Sequence, residues 1–128
     1  TDEELNFTDF HLQGFPLVHS NHSVGFRLQS NEGKVIAYSG DTDYCFKLIK
    51  LARGVDLLGL ECAFPDDSKV AGHLTPTLEG RVAREAECER LVLTHFYPPC
   101  DELDIKRRVE KEYSGEILLA EDLMKIVV

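Results

Sequence analysis

The sequence has little positive charge, no closely spaced cysteines and no long apolar run, and each absence narrows the class of protein. With 14 basic and 23 acidic residues the formal net charge is −9, so the chain as a whole repels nucleic acids and anionic membranes. No apolar stretch approaches the roughly 18 residues that a membrane-spanning helix needs. No internal repeat or low-complexity linker divides the 128 residues, a length that predicts one domain or part of one.

The four cysteines, Cys45, Cys62, Cys88 and Cys100, are far apart in the chain. Without a Cys-x-x-Cys pair, neither a zinc ribbon nor a redox motif is indicated. Four free thiols are typical of a reducing compartment, so we expect a cytoplasmic location. Residues 106–108 form the only basic run, and the acidic residues on both sides of it indicate a solvated helix face rather than an RNA-binding patch.

Strand and helix patterns alternate after residue 35, which predicts an α/β fold. Before that point, Val24, Phe26 and Leu28 alternate with polar residues, and a turn at 31–34 completes a hairpin. Thr75-Pro76 predicts the start of a helix that reaches about Cys88 with Glu79 facing outward. We expect further helices over 43–53 and about 101–113, and further strands over 35–38, 55–62, 90–94, 116–120 and, at a possible sheet edge, 125–128.

Polar residues of metal-binding or acid–base type end three successive predicted strands. Asp41 follows the turn at Ser39-Gly40, Glu61 ends the next strand, and His95 ends the third. Because parallel strands bring their carboxyl ends to one edge of a sheet, we expect these side chains to converge, with His73 in the loop close by. Taken singly, Asp41 also suits a helix N-cap and each histidine an ordinary polar role. Their common position favours a functional site.

The residue types in this group are suited to hydrolysis. Carboxylate oxygen and neutral imidazole nitrogen bind zinc, manganese and iron, and such a metal lowers the pKa of bound water to about 7. Asp41 and His95 suit metal binding. His73, oriented by Glu61, suits a proton donor to the leaving oxygen.

The segments that carry these residues resemble a known family. Val-Ile-Ala-Tyr-Ser-Gly-Asp-Thr at 35–42, Leu-Glu-Cys at 60–62, Gly-His-Leu-Thr at 72–75 and Leu-Thr-His-Phe at 93–96 resemble, in order and spacing, the carboxyl-terminal half of metallo-β-lactamase-fold hydrolases. The most similar branch is that of ribonuclease Z and its phosphodiesterase relatives. The hairpin at 19–27 also resembles the histidine-containing hairpin of that branch. The resemblance implies an α/β fold that is half of an αββα sandwich, a mixed sheet with helices on one face.

The resemblance further implies a two-metal phosphodiesterase site. Its cofactors would be two divalent metal ions, zinc first, with manganese or iron as alternatives. Asp41 would match the aspartate that bridges both ions, and His95 a terminal ligand of the second. His73, paired with Glu61, would match the proton donor. His19 matches a further family position, and contact with substrate and a hydrogen bond within the hairpin are both open roles for it.

The sequence departs from the family pattern in one respect. The family takes most metal ligands from a His-x-His-x-Asp-His motif and one further histidine, and the five histidines here, His11, His19, His22, His73 and His95, lack that spacing. We therefore expect residues 1–128 to be a single segment, the carboxyl-terminal part of a metal-dependent phosphodiester hydrolase, inactive alone. RNA is disfavoured as substrate by the acidic balance. A metal-free scaffold or oligomerisation domain and a receiver-like signalling module with Asp41 as phosphoacceptor are the alternatives.

Half of a sandwich leaves one sheet face bare, and such a face is a larger apolar patch than soluble monomers usually expose. We therefore expect a homo-oligomer formed through the exposed sheet face.

Overall fold

The structure, a computed structural model, describes residues 3–128 and contains one seven-stranded sheet. The strands are β1 (Glu3–Asn6), β2 (Phe10–Pro16), β3 (Val24–Ser30), β4 (Val35–Tyr38), β5 (Leu57–Glu61), β6 (Arg90–Thr94) and β7 (Glu116–Leu119). The helices are α1 (Phe46–Ala52), α2 (Pro76–Ala86) and α3 (Ile105–Glu110), with short 3-10 turns at Asp66–Ser68 and Pro98–Cys100.

The order of the strands in the sheet follows their order in the chain, but their direction changes at β4. Strands β1 to β4 pair antiparallel, whereas β4 to β7 pair parallel. The predicted mixed sheet is thereby confirmed. Because β4, β5 and β6 are parallel neighbours, the residues that follow them lie at the same edge of the sheet.

The three helices form one layer against the sheet. Helix α1 packs against α2, and α2 packs against α3, while α1 contacts β2, β3 and β4 and α3 contacts β7. Fully buried side chains between this layer and the sheet include Leu48, Leu51, Leu58, Val82 and Leu91. The burial of these side chains is the main source of stability that the fold supplies.

Helix α2 begins as the sequence predicts and lies very close to α3. Thr75 is its extended N-cap residue and Pro76 its first residue. A Cβ atom at Gly80 would lie 2.7 Å from Cβ of Glu112 and 2.9 Å from the carbonyl oxygen of Val109. A glycine is therefore required where the two helices meet.

The other face of the sheet is apolar, and no element within residues 3–128 covers it. Cross-strand pairing places Phe26, Tyr38 and Gly59 in one row on this face. Phe26 and Tyr38 are 46% and 49% exposed, which is unusual for large apolar side chains in a sheet interior. Near β1 the face contains a cavity of about 320 Å³ lined by residues including Leu5, Leu12 and Phe26. The predicted half-sandwich, with helices on one face, is confirmed.

Several local predictions were wrong. The helix expected over 43–53 begins only at Phe46, with Cys45 as its N-cap residue, so Asp41 does not cap it. The helix expected over 101–113 is limited to α3, because Asp104 caps it by accepting a hydrogen bond from the backbone N–H of Arg107. Residues 125–128 form no strand. Glu79, expected on the outer face of α2, is completely buried, on a helix that packs against both α1 and α3.

All four cysteines are free, as the sequence predicts. Cys62, Cys88 and Cys100 are buried, and burial raises the pKa of each of these thiols. Cys45, at the start of α1, is partly exposed. Within residues 3–128 no helix has the length and apolar character needed to cross a membrane.

Candidate metal centre

Asp41 lies at the sheet edge between two histidines. Gly40, with φ of +61°, turns the chain immediately after β4 and brings Asp41 to this edge. Asp41 Oδ1 lies 3.4 Å from Nε2 of His95, and Asp41 Oδ2 lies 3.8 Å from Nε2 of His19. Between 33% and 37% of each of the three side chains is exposed, so the group is open to solvent from one side.

His95 directly follows β6 and has an unusual backbone conformation. Its φ is +62°, a left-handed conformation that costs about 1–3 kcal/mol in a non-glycine residue and is most often found at functional sites. Its Nε2 atom is buried and has no hydrogen-bond partner among residues 3–128. A buried ring nitrogen without a partner, facing a carboxylate oxygen, fits the binding of a cation.

His19 is oriented by a loop that is distant in sequence. Its Nδ1 lies 3.0 Å from the carbonyl oxygen of Gly72, and because a carbonyl only accepts, Nδ1 carries the hydrogen. In the neutral ring this leaves the lone pair on Nε2, the atom that faces Asp41. Gly72 has φ of +87°, and a Cβ atom there would lie 3.1 Å from Nδ1 of His19, so this contact requires glycine. The hydrogen-bond partner of His19 therefore belongs to a distant loop and not to the hairpin that contains His19.

His73 and Glu61 form a buried pair. His73 Nδ1 lies 2.8 Å from Glu61 Oε1, and Glu61 also accepts hydrogen bonds from the backbone N–H groups of Thr42 and Ala63, at 3.2 and 3.0 Å. These donors compensate for the burial of the carboxylate. Since the carboxylate fixes the hydrogen on Nδ1, the other ring nitrogen of His73 is the one left for chemistry. His73, His19 and Asp41 each offer a potential ligand atom, and these atoms lie within 4.8 Å of one another.

Aromatic rings form one side of the group. The ring of Tyr97 lies 4.9 Å from that of His95, and the ring of Phe64 lies 5.4 Å from that of His73. The two aromatic rings are in edge-to-face contact with each other, with centroids 5.0 Å apart. Neither residue was singled out from the sequence. The sequence gives one indication that they lie near the site, because Phe64 follows Glu61 and Tyr97 follows His95 within three residues.

Asp43 is a third residue near the site that the sequence pattern did not indicate. Its carboxylate accepts hydrogen bonds from Nζ of Lys69 at 2.8 Å and from the backbone N–H groups of Gly72 and Tyr44 at 2.9 and 2.8 Å. Burial by itself raises the pKa of Asp43, but these hydrogen bonds and the charge of Lys69 outweigh it, and the pKa is lowered overall.

The structure brings Asp41, Glu61, His73 and His95 to one edge of the sheet and adds His19 to them. The remaining histidines lie elsewhere. His11 hydrogen-bonds to Asn6 across β1 and β2 at 2.7 Å, and His22 is exposed. The convergence at the sheet edge is thus as expected, while the individual roles of the residues stay predictions.

A mixed sheet covered by helices on one face, with carboxylate and imidazole groups after its parallel strands, defines an α/β protein with a site of metal-binding type. Residues 1–96 match the Beta-lactamase superfamily domain. The chain belongs to this superfamily, as a metallo-β-lactamase-fold protein of the ribonuclease Z branch.

Individual relatives agree with this assignment. A ribonuclease Z of Nocardia farcinica is 43% identical over 99 residues, which cover 73% of this chain and 32% of the relative. The metallo-β-lactamase fold protein YhfI of Bacillus subtilis has a TM-score of 0.83 at 26% identity, over 93% of this chain and 50% of YhfI. The short form of human tRNase Z has a TM-score of 0.71 at 29% identity, over 94% of this chain and 44% of that protein. The chain thus spans about a third of the curated relative and half or less of these solved structures.

Proposed function

We propose that this site is part of a metal-dependent hydrolase of phosphodiester bonds, with His19, Asp41 and His95 as metal ligands. The observation that carries the proposal is the buried, unpartnered Nε2 atom of His95, which faces Asp41 Oδ1 at 3.4 Å. Leaving a buried polar atom without a hydrogen bond costs about 1–3 kcal/mol, and a bound cation would remove that cost.

The set of donor atoms supports divalent metal binding. Two imidazoles and a carboxylate are a ligand set found in catalytic zinc sites, where water takes the remaining position. The two oxygens of Asp41 face different histidines, which favours a carboxylate shared by two ions, as the family resemblance implies. Metal bound here would supply a hydroxide at neutral pH and neutralise charge on the phosphoryl group. A second ion needs ligands beyond these three, and we propose that they come from outside the 128 residues.

His73 is the proposed proton donor. Glu61 holds its Nδ1–H, so a protonated His73 can give the proton on its other ring nitrogen to the leaving oxygen. Glu61 in turn is held by the backbone N–H groups of Thr42 and Ala63, which keep the carboxylate from rotating. His73 thereby acts with a fixed orientation and with little contact with water, because it is only 8% exposed.

The substrate class rests on the relatives and on charge. The curated relatives include proteins named ribonuclease Z, which favours a phosphodiester. The net charge of −9 disfavours RNA unless segments outside these residues supply a basic surface. Small phosphodiesters are therefore the second substrate class that the proposal includes.

Metal binding tests the ligand assignment directly. Zn²⁺ or Mn²⁺ is titrated into the chain by calorimetry, with Asp41→Asn and His95→Asn as site variants and His11→Gln as the matched control. Asparagine is chosen at position 95 because it tolerates the left-handed conformation. We expect the wild-type and His11→Gln chains to bind metal and the site variants to lose affinity at least tenfold. A wild-type chain that binds neither ion would favour a metal-free scaffold instead.

Hydrolysis tests the proton donor. In a protein that also contains the ligands proposed to lie outside the 128 residues, loaded with metal, His73→Gln should retain metal binding but lose about 10²- to 10⁴-fold in the rate of hydrolysis of bis(p-nitrophenyl) phosphate. A leaving group of low basicity needs little protonation, so an alkyl phosphodiester should show a larger loss. An equal loss with both substrates would contradict the assigned role.

A further inference from the structure

Asp43 contacts both chain segments that hold His19. Its backbone N–H donates to the carbonyl oxygen of Val18, the residue before His19, at 2.7 Å. Its carboxylate Oδ2 accepts from the backbone N–H of Gly72 at 2.9 Å. Gly72 in turn receives the hydrogen bond from His19 Nδ1 through its own carbonyl oxygen, at 3.0 Å. A single residue thus connects the hairpin of His19 with the loop that orients the imidazole.

The loop has further ties to the same carboxylate. Lys69 Nζ donates to Asp43 Oδ2 at 2.8 Å and to the carbonyl oxygen of Val70 at 2.9 Å. The other oxygen, Oδ1, accepts from the backbone N–H of Tyr44 at 2.8 Å. Because both oxygens are occupied, the carboxylate has one orientation, and the loop from Lys69 to Gly72 is held with it.

We propose that Asp43 is a positioning residue for His19. By holding Gly72 in place, it keeps the hydrogen on Nδ1 of His19 and leaves Nε2 as the free nitrogen that faces Asp41. A histidine that binds metal through one nitrogen commonly donates from the other to an oxygen, and that contact fixes the tautomer. The reason for positioning His19 rests on the proposed function. The tautomer of His19, in contrast, can be measured in the chain without metal.

The chain contains a matched control in Asp56. Its carboxylate also accepts from a backbone N–H, that of Val35 at 2.7 Å, and from a lysine, Lys34 Nζ at 3.3 Å. The exposed side-chain fractions of Asp56 and Asp43 are 22% and 24%. No contact joins Asp56 to His19 among the hydrogen bonds of the described residues. Replacing Asp56 therefore removes a similar set of hydrogen bonds, but at a place in the fold that has no contact with His19.

The test reads the tautomer of His19 from long-range ¹H–¹⁵N spectra of the metal-free chain. The wild-type chain should show His19 with the hydrogen on Nδ1 alone. Asp43→Ala should convert this signal to a mixture of tautomers, whereas Asp56→Ala should leave it unchanged. Asp43→Asn, which retains one accepting oxygen, should recover the wild-type signal at least in part. In the same series, the affinity for Zn²⁺ should fall about tenfold in Asp43→Ala only.

The outcomes separate this inference from the proposed function. An unchanged His19 signal in Asp43→Ala, or an equal change in Asp56→Ala, would overturn the positioning role. A wild-type chain that binds no metal but shows the expected tautomer change would overturn the proposed function and leave the positioning role supported. If Asp43→Ala does not fold, Asp43→Ser, which is also too short to reach Gly72, is measured in its place with the same two outcomes.

Discussion

Replacing Glu79 should stabilise the protein, because this buried carboxyl group has no hydrogen bond from an N–H or O–H group and only the weakly donating thiol of Cys62 beside it. Glu79 is 0% exposed, and neither of its oxygens accepts from an N–H or O–H group among residues 3–128. Burial raises the pKa of Glu79 well above its ordinary value, because it outweighs the hydrogen bond with the Cys62 thiol and is reinforced by the negative charge of Glu61. An unsatisfied buried polar group costs about 1–3 kcal/mol, so Glu79→Leu should gain about that amount in free energy of unfolding at pH 7.

The pH dependence separates ionisation from burial. The raised pKa means that the folded chain holds a proton which the unfolded chain, with a carboxyl pKa of about 4.3, has already lost. Stability therefore falls as the pH rises above that value, by about 1.4 kcal/mol per pH unit until the folded-state pKa is reached. Glu79→Gln removes this component alone, so its advantage over the wild type should grow as the pH rises above the unfolded-state value.

Urea unfolding followed by circular dichroism at pH 5, 6 and 7 measures these differences. Glu85 on the same helix is the control, because its pKa is shifted in the opposite direction. The hydrogen bonds from Arg81 and Tyr44 lower the pKa of Glu85. Glu85→Gln should therefore lose stability relative to the wild type as the pH rises from acid to neutral. Parallel pH profiles for the wild type and Glu79→Gln would refute the reasoning, as would a less stable Glu79→Leu at pH 7.

Three further predictions concern other parts of the fold. Gly80→Ala should destabilise the chain by about 1–3 kcal/mol in urea unfolding, since the new Cβ atom would overlap Val109 of α3; an unchanged midpoint would show that α3 moves freely. Phe26→Lys should weaken self-association through the uncovered sheet face, as measured by sedimentation. A wild-type chain that is monomeric at high concentration would contradict the proposed homo-oligomer. Asp56→Asn should lower stability at neutral pH, and this loss should shrink as the pH falls below about 4 and through the pKa of Asp56, which the hydrogen bonds from Val35 and Lys34 lower. A difference that stays constant as the pH falls would contradict that origin.

The part of the site that could be predicted follows from strand direction. Asp41, Glu61 and His95 each end a strand with a readable apolar pattern, and parallel pairing of those strands brings them to one edge. The pairing of His73 with Glu61 was also predicted, because the two are only 12 positions apart and belong to consecutive elements.

The contacts of His19 could not be predicted in the same way. Gly72, its hydrogen-bond partner, is 53 positions away in a loop, and loop conformations follow from many weak contacts rather than from a period in the sequence. Glu79 was misplaced for a related reason. A charged residue in a helix pattern is normally assigned to the solvent face, and the covering of α2 on several sides depends on the tertiary packing.

The distribution of the four thiols makes the chain convenient for site-specific labelling. Three of them are enclosed by the protein and resist ionisation, so a maleimide reagent should react at Cys45 alone while the fold is intact. A fluorophore or spin label attached there would report from the amino end of α1 without any substitution in the sequence. Labelling beyond one group per molecule would then serve as a direct measure of unfolding.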